Sequence, residues 1–337
     1  MAIIDKPSDY FETVIYAGGT TDISSLDFQP DWVWAKKRTG AENHGLFDSV
    51  RGATKTINSN TTAAESTRSG SLTSFDSDGF TMGGSDGIIS ASGNNYVAWN
   101  WKAGGSASSN TAGSINSSVS VNQEAGFSIV SYTGTGANAT VGHGLGSLCK
   151  FIIIKRLNST NDWEIGSTAL GWDKHLYFTT GAANTSSNRW QSTAPTNSVF
   201  YLGPAAGNNA SSSPLIAYCF AEKQGYSKFG SYTGNGNADG TFVYLGFKPA
   251  FVMIKSSSNS GQAWVMQDNK RDGFNYNNHR LFADSSAAEE STVRMDLLSN
   301  GFKCRDNDGN GNGFNYIYMA FAEEPFVASN FNVATAR

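Results

Sequence analysis

The chain has 337 residues and a formal net charge of −4, and only 15% of its residues are charged. A charge this low and this balanced argues against binding to nucleic acid, which requires clustered Lys and Arg. No run of about 18 apolar residues occurs, which argues against insertion into a membrane as a helix. The first residues show no basic stretch followed by an apolar one, so we expect no signal peptide.

One segment of the sequence occurs three times. It reads IYAGGTTDISSLDFQPDWVWAKKR at 15–38, SYTGTGANATVGHGLGSLCKFIIIKR at 131–156 and SYTGNGNADGTFVYLGFKPAFVMIKS at 231–256. In each copy a lysine near the end is followed, 62 or 63 residues later, by an apolar segment: YVAWNW, LIAYCF or IYMAF. We therefore predict an all-β chain of three tandem β-sandwich modules, jelly-roll-like and with little helix, each of about 100 residues.

The repeat also sets the predicted boundaries. Module 1 covers 1–103, module 2 covers 126–222, and module 3 covers 223–337 with a short C-terminal tail. Residues 104–125 are rich in Gly, Ser and Asn, as linkers are, and the alternation over 114–121 favours one edge strand. In module 1, aromatic and β-branched runs predict strands at 11–16, 31–36, 45–49, 55–59, 79–82 and 95–102, and one polar helix near 61–66.

Two of the repeated strands are apolar on consecutive residues, at 151–154 and 251–254. Since side chains alternate between the faces of a strand, such a strand is covered on both faces. One face belongs to the module's own sandwich, and the other meets a neighbouring module or another subunit. This pattern favours a homo-oligomer. The lysine that ends the repeated strand in each of the three copies (Lys36, Lys155 and Lys255) is interpreted as a solvated strand end.

The tryptophans divide into two groups. Trp32, Trp34, Trp99 and Trp101 occupy positions that are apolar in every copy of the repeat, so we predict that they lie in the core. Trp172 and Trp190 lie in polar surroundings peculiar to module 2 and are the better candidates for an exposed binding patch. Three cysteines, Cys149, Cys219 and Cys304, lie within apolar runs and are predicted to be buried free thiols.

One string of residues has the spacing of a cation site. Asp306, Asp308 and Asn310, followed by Gly311, match the opening of a calcium-binding loop, but Ile317 stands where the bidentate glutamate belongs. A Gly/Asn-rich turn explains the string equally well, and the sequence leaves open whether these residues bind an ion. Asp76 and Asp78 are interpreted as a structural turn. His44, His143, His175 and His279 lack metal-site spacing, so we predict no catalytic, cofactor-binding or metal-binding residues.

Several longer motifs resemble a family of bacteriophage virion proteins common in marine phages and described as tail-fibre or structural proteins. These motifs are IDKPSDYF, HGLFDSVRGA, LTSFDSDGF, YVAWNWKAGG, GFSIVSYTGTGANATVGHGLG, YCFAEKQGYSKFGSYTGNG and AFAEEPF. The resemblance covers essentially the whole chain. It implies a component of the virus particle, synthesised in the host cytoplasm and assembled with other virion proteins. Since such virion proteins are commonly trimeric, it also favours a trimer as the homo-oligomer.

Three functions are consistent with these observations. The first is a non-enzymatic tail fibre or adhesin whose polar loops contact the host surface, with a surface glycan as a possible target. The second is a capsid decoration or head-fibre protein that stabilises the particle. The third is a tail-associated enzyme that degrades glycans, which requires two carboxylates in one cleft.

Overall fold

The computed structural model describes residues 3–307, 309–330 and 332–335. Among the residues described, 44% lie in strands and 3% in helices, which confirms the predicted all-β fold. We refer to 1–103, 126–222 and 223–337 as the first, second and third repeats. No helix in the described ranges is long and apolar enough to cross a membrane.

The first repeat begins with a 3₁₀ turn at Pro7–Asp9. Its strands are β1 (Phe11–Ala17), β2 (Asp22–Ile23), β3 (Trp32–Lys37), β4 (Gly45–Asp48), β5 (Lys55–Thr56), β6 (Ser66–Thr67), β7 (Leu72–Asp76), β8 (Gly79–Met82) and β9 (Asn95–Trp101). Residues 104–125, expected as a linker with one edge strand, contain β10 (Ser108–Asn110) and β11 (Ser117–Asn122), which pair with each other.

The second repeat contains β12 (Phe127–Thr133), β13 (Ala139–Gly142), β14 (Cys149–Arg156), β15 (Glu164–Ser167), β16 (Lys174–His175), β17 (Asn184–Thr185), α1 (Ser187–Trp190), β18 (Val199–Leu202), α2 (Ala206–Asn209) and β19 (Pro214–Ala221). The third repeat contains β20 (Ser227–Thr233), β21 (Phe242–Tyr244), β22 (Phe247–Ser256), β23 (Val265–Asp268), β24 (Asn277–Phe282), β25 (Glu290–Leu298), β26 (Gly301–Cys304) and β27 (Asn315–Pro325).

Each repeat folds an inner sheet against outer strands. The inner sheet of the first repeat has the order β1-β9-β3-β4 and faces the outer sheet β2-β8-β7. The second repeat, together with β10 and β11 of residues 104–125, has the six-stranded order β10-β11-β12-β19-β14-β15 and the outer pair β13-β18. The third has one eight-stranded sheet, β20-β27-β22-β23-β24-β25-β26-β21, whose second half supplies the outer layer. These strand pairings all stay within the first repeat, within 104–222 or within the third repeat.

The consecutively apolar strands bury their two faces in different cores. In β14, Ile152 and Ile154 pack into the sandwich core of the second repeat. Phe151 and Ile153, on the opposite face, join a larger core to which all three repeats contribute. The corresponding residues of β22 divide in the same way between the sandwich core of the third repeat and the shared core. Both faces are therefore covered within one chain, so the apolar faces no longer argue for further subunits.

The centre of the shared core is aromatic. Trp101 lies 5.6 Å from Phe321, and Phe220 lies 5.9 Å from Phe321, measured between ring centroids. These three residues occupy corresponding positions in the three repeats. Trp32 also stacks on Tyr218 at 4.4 Å, and Phe251 lies 5.9 Å from Trp101. The predicted burial of Trp32, Trp34, Trp99 and Trp101 is confirmed, because none is more than 1% exposed.

Corresponding backbone hydrogen bonds join each repeat to the next. One set connects the segment after the repeated lysine to the neighbouring repeat: Asn161 N donates to Thr62 O (2.8 Å), Gly261 N to Thr180 O (2.9 Å) and Glu42 N to Ser286 O (2.9 Å). A second set runs the other way: Glu65 N donates to Leu157 O (2.9 Å), Ala183 N to Ser257 O (3.0 Å) and Glu289 N to Arg38 O (3.0 Å). The donors and acceptors follow a cyclic order, so the three repeats surround a pseudo-threefold axis.

The repeated lysines are not solvated strand ends. Lys36, Lys155 and Lys255 are each 0% exposed. Lys155 Nζ donates to Thr62 O (2.8 Å) and to Asn161 O. Lys36 Nζ donates to Lys37 O (2.8 Å) and to Ser286 O (3.2 Å). Lys255 Nζ donates to Gln262 O. The prediction was wrong because carbonyl groups at the junctions between repeats solvate these ammonium groups in place of water. Burial lowers the pKa of each lysine to about 8.

The predicted helix at 61–66 is also wrong. That segment has no helical structure, and β6 begins at its last residue. Its backbone is used elsewhere, because Thr62 O accepts from the second repeat and Glu65 N donates to Leu157 O. A helix would require the same groups for its own hydrogen bonds.

Candidate functional site

Trp172 and Trp190 do not form an exposed patch. Trp172 is 7% exposed and Trp190 is 0% exposed, and their rings meet edge to face with centroids 5.6 Å apart. Both pack over Gly166, where a Cβ atom would lie 2.7 Å from the Trp172 ring and 2.8 Å from that of Trp190. The polar surroundings in the sequence were misleading because a glycine on the adjacent strand provides the space that the two rings fill.

The calcium-like string in the third repeat is used to hold a loop. Asn310 is buried, and its Nδ2 donates to Asn235 Oδ1 (2.7 Å) and Asn237 O (2.9 Å). Asp306 pairs with Arg294, and Ile317 lies in the shared core. Asp308 lies outside the described residues. In the part of the chain that is described, no group of three or more His, Cys, Asp or Glu side chains could hold a metal ion.

Buried histidines and cysteines have structural surroundings. Trp34 Nε1 donates to His44 Nδ1 (2.8 Å), and the opposite ring nitrogen lies 2.9 Å from Phe282 O. Burial lowers the pKa of His44 to about 3, so the ring is neutral and its Nε2 donates to that carbonyl. Trp163 and Trp264 occupy the positions in the second and third repeats that correspond to His44. Trp163 Nε1 donates to Asn58 O, and Trp264 Nε1 donates to Tyr177 O. The cysteines are free and buried, as predicted.

The outer surface of the third repeat carries four exposed aromatic side chains, which we call the aromatic face. Phe242 and Tyr244 on β21 are 44% and 54% exposed, and Phe274 and Tyr276, which precede β24, are 81% and 54% exposed. Phe242 and Tyr244 share one face of the strand because Val243 between them points into the sandwich core. Large exposed aromatic groups of this kind mark interaction sites more often than isolated apolar residues do.

Charged side chains connect Phe242 with Tyr276. Lys303 lies beside Phe242 in the register of β21 and β26, and it pairs with Asp239. Arg305 lies 5.8 Å from the centroid of the Tyr276 ring, pairs with Asp296 and approaches Asp239 at 3.7 Å. The hydrogen bond to Asp296 is the main cause of the raised pKa of Arg305. The face thus combines flat apolar rings with fixed hydrogen-bond donors and acceptors.

The repeat contained a signal for this face that the sequence analysis missed. Val243 corresponds to Val141, since each pairs with the phenylalanine of an outer strand, Phe302 or Phe200. The residues beside Val141 are Thr140 and Gly142, whereas those beside Val243 are Phe242 and Tyr244. An exposed position that is aromatic in one copy alone is not explained by the core that all copies share. Comparing exposed positions between copies would therefore have identified the face.

A polar pocket lies where the three repeats meet at one end of the shared core. Its volume is about 450 Å³, and we call it the axial pocket. Its lining includes Asn60, Thr179 and Asp284, which occupy corresponding positions in the three repeats, and it also includes Asp162. Asp284 Oδ1 accepts from Trp264 N (2.9 Å), and burial raises the pKa of the Asp284 carboxyl. This pocket brings two carboxylates together among hydroxyl groups.

Comparison with known proteins places the chain in a family. A search of curated proteins returned no match, and a search of solved structures returned none. A family model described as a domain of unknown function, DUF7483, matches residues 6–325 and so spans all three repeats. The chain therefore belongs to the DUF7483 family.

Proposed function

We propose that this protein is a non-enzymatic component of a bacteriophage particle, mounted on the tail as a fibre or adhesin that contacts the host surface. The sequence motifs support a virion protein, and the aromatic face is the observation that favours host contact. In this proposal Phe242, Tyr244, Phe274 and Tyr276 bind host glycans.

The chemistry of the aromatic face suits a weakly bound saccharide. Aromatic side chains offer rigid apolar surface at little entropic cost, and the apolar faces of sugar rings stack on such surfaces. Asp239, Lys303 and Arg305 lie between Phe242 and Tyr276 and can exchange hydrogen bonds with hydroxyl groups. One such contact is weak, but several copies on one particle would raise the overall avidity by orders of magnitude.

Binding of the purified protein to host cells tests this proposal. The double variant Phe242→Ser/Tyr244→Ser should lose binding at least tenfold, because it removes exposed rings without disturbing Val243 in the core. The matched control is Leu148→Ser, since Leu148 is 50% exposed and lies in the second repeat. Equal loss in the control, or unchanged binding by the double variant, would remove the aromatic face from the proposal.

Capsid decoration is a second candidate, and the open strand edges favour it. In the described structure β1 and β20 end their sheets without a further partner strand, so each offers backbone groups to another virion protein. Cryo-electron microscopy of the intact particle distinguishes the two candidates. A few copies at the tail agree with an adhesin, whereas hundreds of copies over the head would make reinforcement of the capsid the function.

The axial pocket allows a test of the remaining candidate, a glycan-degrading enzyme. Such an enzyme needs two carboxylates in one cleft, and Asp162 and Asp284 both line this pocket. Under our proposal the purified protein releases no reducing ends from host polysaccharide. Release that is lost in Asp284→Asn, with the variant still folded, would overturn the non-enzymatic assignment.

A further inference from the structure

In the second repeat an additional strand, β11, pairs with the edge of the inner sheet. Strand β11 pairs with β12 in an antiparallel register in which Ser118 faces Ser131 and Ser120 faces Ile129. Gly126 O accepts from Ala221 N, and Gly134 N donates to Ser213 O. Because ladder hydrogen bonds alternate between the two sides of a strand, Ile129 and Ser131 direct their backbone groups toward β11. Residues 104–125, which carry β11, have no counterpart between the second and third repeats.

Strand β20 corresponds to β12 but has no such partner. The register places Ser227 opposite Phe321 as it places Phe127 opposite Phe220, so Phe229 and Ser231 correspond to Ile129 and Ser131. Tyr226 O accepts from Ala322 N and Gly234 N donates to Phe314 O. By the same alternation, Phe229 and Ser231 direct their backbone groups away from β27. Within the described part of the chain, β20 pairs with β27 alone.

A groove begins at the C-terminal end of this edge, at Ser231 and Thr233, and continues across the ends of β27 and β22. It has a volume of about 570 Å³ and lies between the second and third repeats. Ser231 and Thr233 of β20 form one wall, together with Ser257 and Asn315, and the other wall includes Leu170 and Ala183 of the second repeat. One wall offers hydroxyl and amide groups, and the other offers apolar groups together with the ammonium group of Lys174.

A different groove lies beside β1, at Phe11, Glu12 and Thr13, which correspond to residues 227–229 and so to the other end of the edge. Its volume is smaller, about 310 Å³. Lys270 of the third repeat reaches across it, and its Nζ lies 3.2 Å from Glu12 Oε1 on β1. A strand added beside Glu12 would have to displace this ion pair, whereas none of the ion pairs found among the described residues lies on β20, so we choose the edge of β20.

We propose that the edge of β20 binds an extended segment of another protein, which adds to the inner sheet of the third repeat as β11 adds to that of the second. The segment pairs with the backbone of Phe229 and Ser231, and small hydroxyl residues alternate with valine along it, as they do in β11. The backbone hydrogen bonds supply affinity, and the groove receives the part of the segment that lies beside Ser231 and Thr233. This inference does not depend on the aromatic face or on the position of the protein in the particle.

A peptide with the sequence of residues 115–123, INSSVSVNQ, is the probe. We expect fluorescence anisotropy to show saturable binding of the labelled peptide to the full chain. Ser231→Pro should weaken binding at least tenfold, since proline removes the outward amide and is tolerated at a sheet edge. Ile15→Pro makes the same change at the edge of β1, and Ser231→Ala keeps the amide. Both should bind within twofold of the parent protein.

Further measurements test the strand pairing and the identity of the bound segment. The peptide carrying Ser120→Pro should bind at least tenfold more weakly, because its backbone cannot complete the ladder. Binding of the parent peptide should slow amide hydrogen exchange at Ser231, a readout that does not depend on any variant. No binding at millimolar peptide, or equal binding to folded Ser231→Pro, would overturn the proposal. A dimer that Ser231→Pro dissociates would overturn it too, since the occupant would then be a second copy of this chain.

Discussion

At the scale of single residues, the same arrangement of buried polar groups connects neighbouring repeats at two of the three junctions and is missing between the second and third repeats. Tyr218 Oη donates to Asp48 Oδ2 (2.7 Å), and Arg51 Nε donates to the same oxygen (2.5 Å). Trp99 Nε1 donates to Asp268 Oδ2 (3.0 Å), which Arg271 also binds (2.6 Å). The corresponding residues at the junction of the second and third repeats are Ser167, Leu170 and Met319. At this junction the carboxylate, the arginine and the hydrogen-bond donor are all absent. This is expected, because a buried charged group without its partner is strongly destabilising.

Replacing Tyr218 with phenylalanine should expose the cost of one such bond. The variant keeps the stacked ring but removes a donor to a buried carboxylate, so we expect it to lose about 1–3 kcal/mol of unfolding free energy. Tyr226→Phe is the matched control, because the hydroxyl of Tyr226 is buried without a recorded partner in the described structure. Urea unfolding monitored by circular dichroism measures both. Equal losses in the two variants would contradict the assigned role of the Tyr218 bond.

The buried lysines give the stability of the protein a pH dependence. Burial lowers the pKa of Lys155 in the folded chain to about 8, whereas the unfolded chain has the ordinary value of 10.5. Between these two values the unfolded state binds more protons, so the free energy of unfolding rises with pH. The cost of burying the charged ammonium is present in full below pH 8 and disappears toward pH 10.5.

Comparison with Lys155→Met isolates this effect from other groups that titrate in the same range. Between pH 7 and pH 10 the free energy of unfolding of the parent should rise by roughly 2 kcal/mol relative to the variant. Urea unfolding at several pH values measures the difference. A difference that stays constant, or that shrinks as the pH rises, would show that the buried lysine does not titrate as its surroundings indicate.

At the scale of elements, the small size of one strand residue decides where two tryptophans lie. Gly166 is on β15, and the Trp172 and Trp190 rings lie where its side chain would otherwise be. Gly166→Ala should therefore force the rings apart and cost about 1–3 kcal/mol. Gly181→Ala is the control, because its nearest neighbour would be Thr179 Oγ1 at 3.4 Å. Thermal unfolding measures both variants. Unchanged stability in Gly166→Ala would show that the two rings can move to make room for a methyl group at little cost.

The sequence predicted elements well where burial repeats and poorly where a partner comes from elsewhere. Strands such as β3 and β14 were predictable because consecutive apolar residues require cover on both faces. The burial of Lys155 was not, since the carbonyl of Thr62 that binds it lies 93 residues away. The burial of Trp190, which ends α1, depends on the space beside Gly166 of β15. The aromatic face was available in the sequence, but only by asking which exposed positions differ between copies.

At the scale of the whole molecule, the shared core makes the repeats interdependent. Apolar residues that a single sandwich would leave on its surface, such as Trp32, Phe151 and Phe251, are all 0% exposed. A repeat removed from the others would expose a face of this kind to water at a cost of about 25 cal/mol for each Å². One chain thus achieves the threefold packing that separate subunits would otherwise provide. A homotrimer of the whole chain stays a prediction, which light scattering of the purified protein can test.

Interdependence predicts one cooperative unfolding transition, and Trp32→Ala tests it. Trp32 belongs to the first repeat but packs on Tyr218 and Phe220 of the second and on Trp101, which contacts the third. Its removal should cost about 3–5 kcal/mol. The loss should appear in the whole molecule, so that calorimetry shows a single transition at lower temperature.

Hydrogen exchange locates the effect within the chain. Amides of β27, in the third repeat, should exchange faster in Trp32→Ala by the same factor as amides of β3, if both exchange through global unfolding. Leu148→Ala serves as the control, because Leu148 is exposed and should leave both rates unchanged. Two separate transitions, or faster exchange confined to β3, would show that the repeats unfold as separate domains despite the aromatic contacts between them.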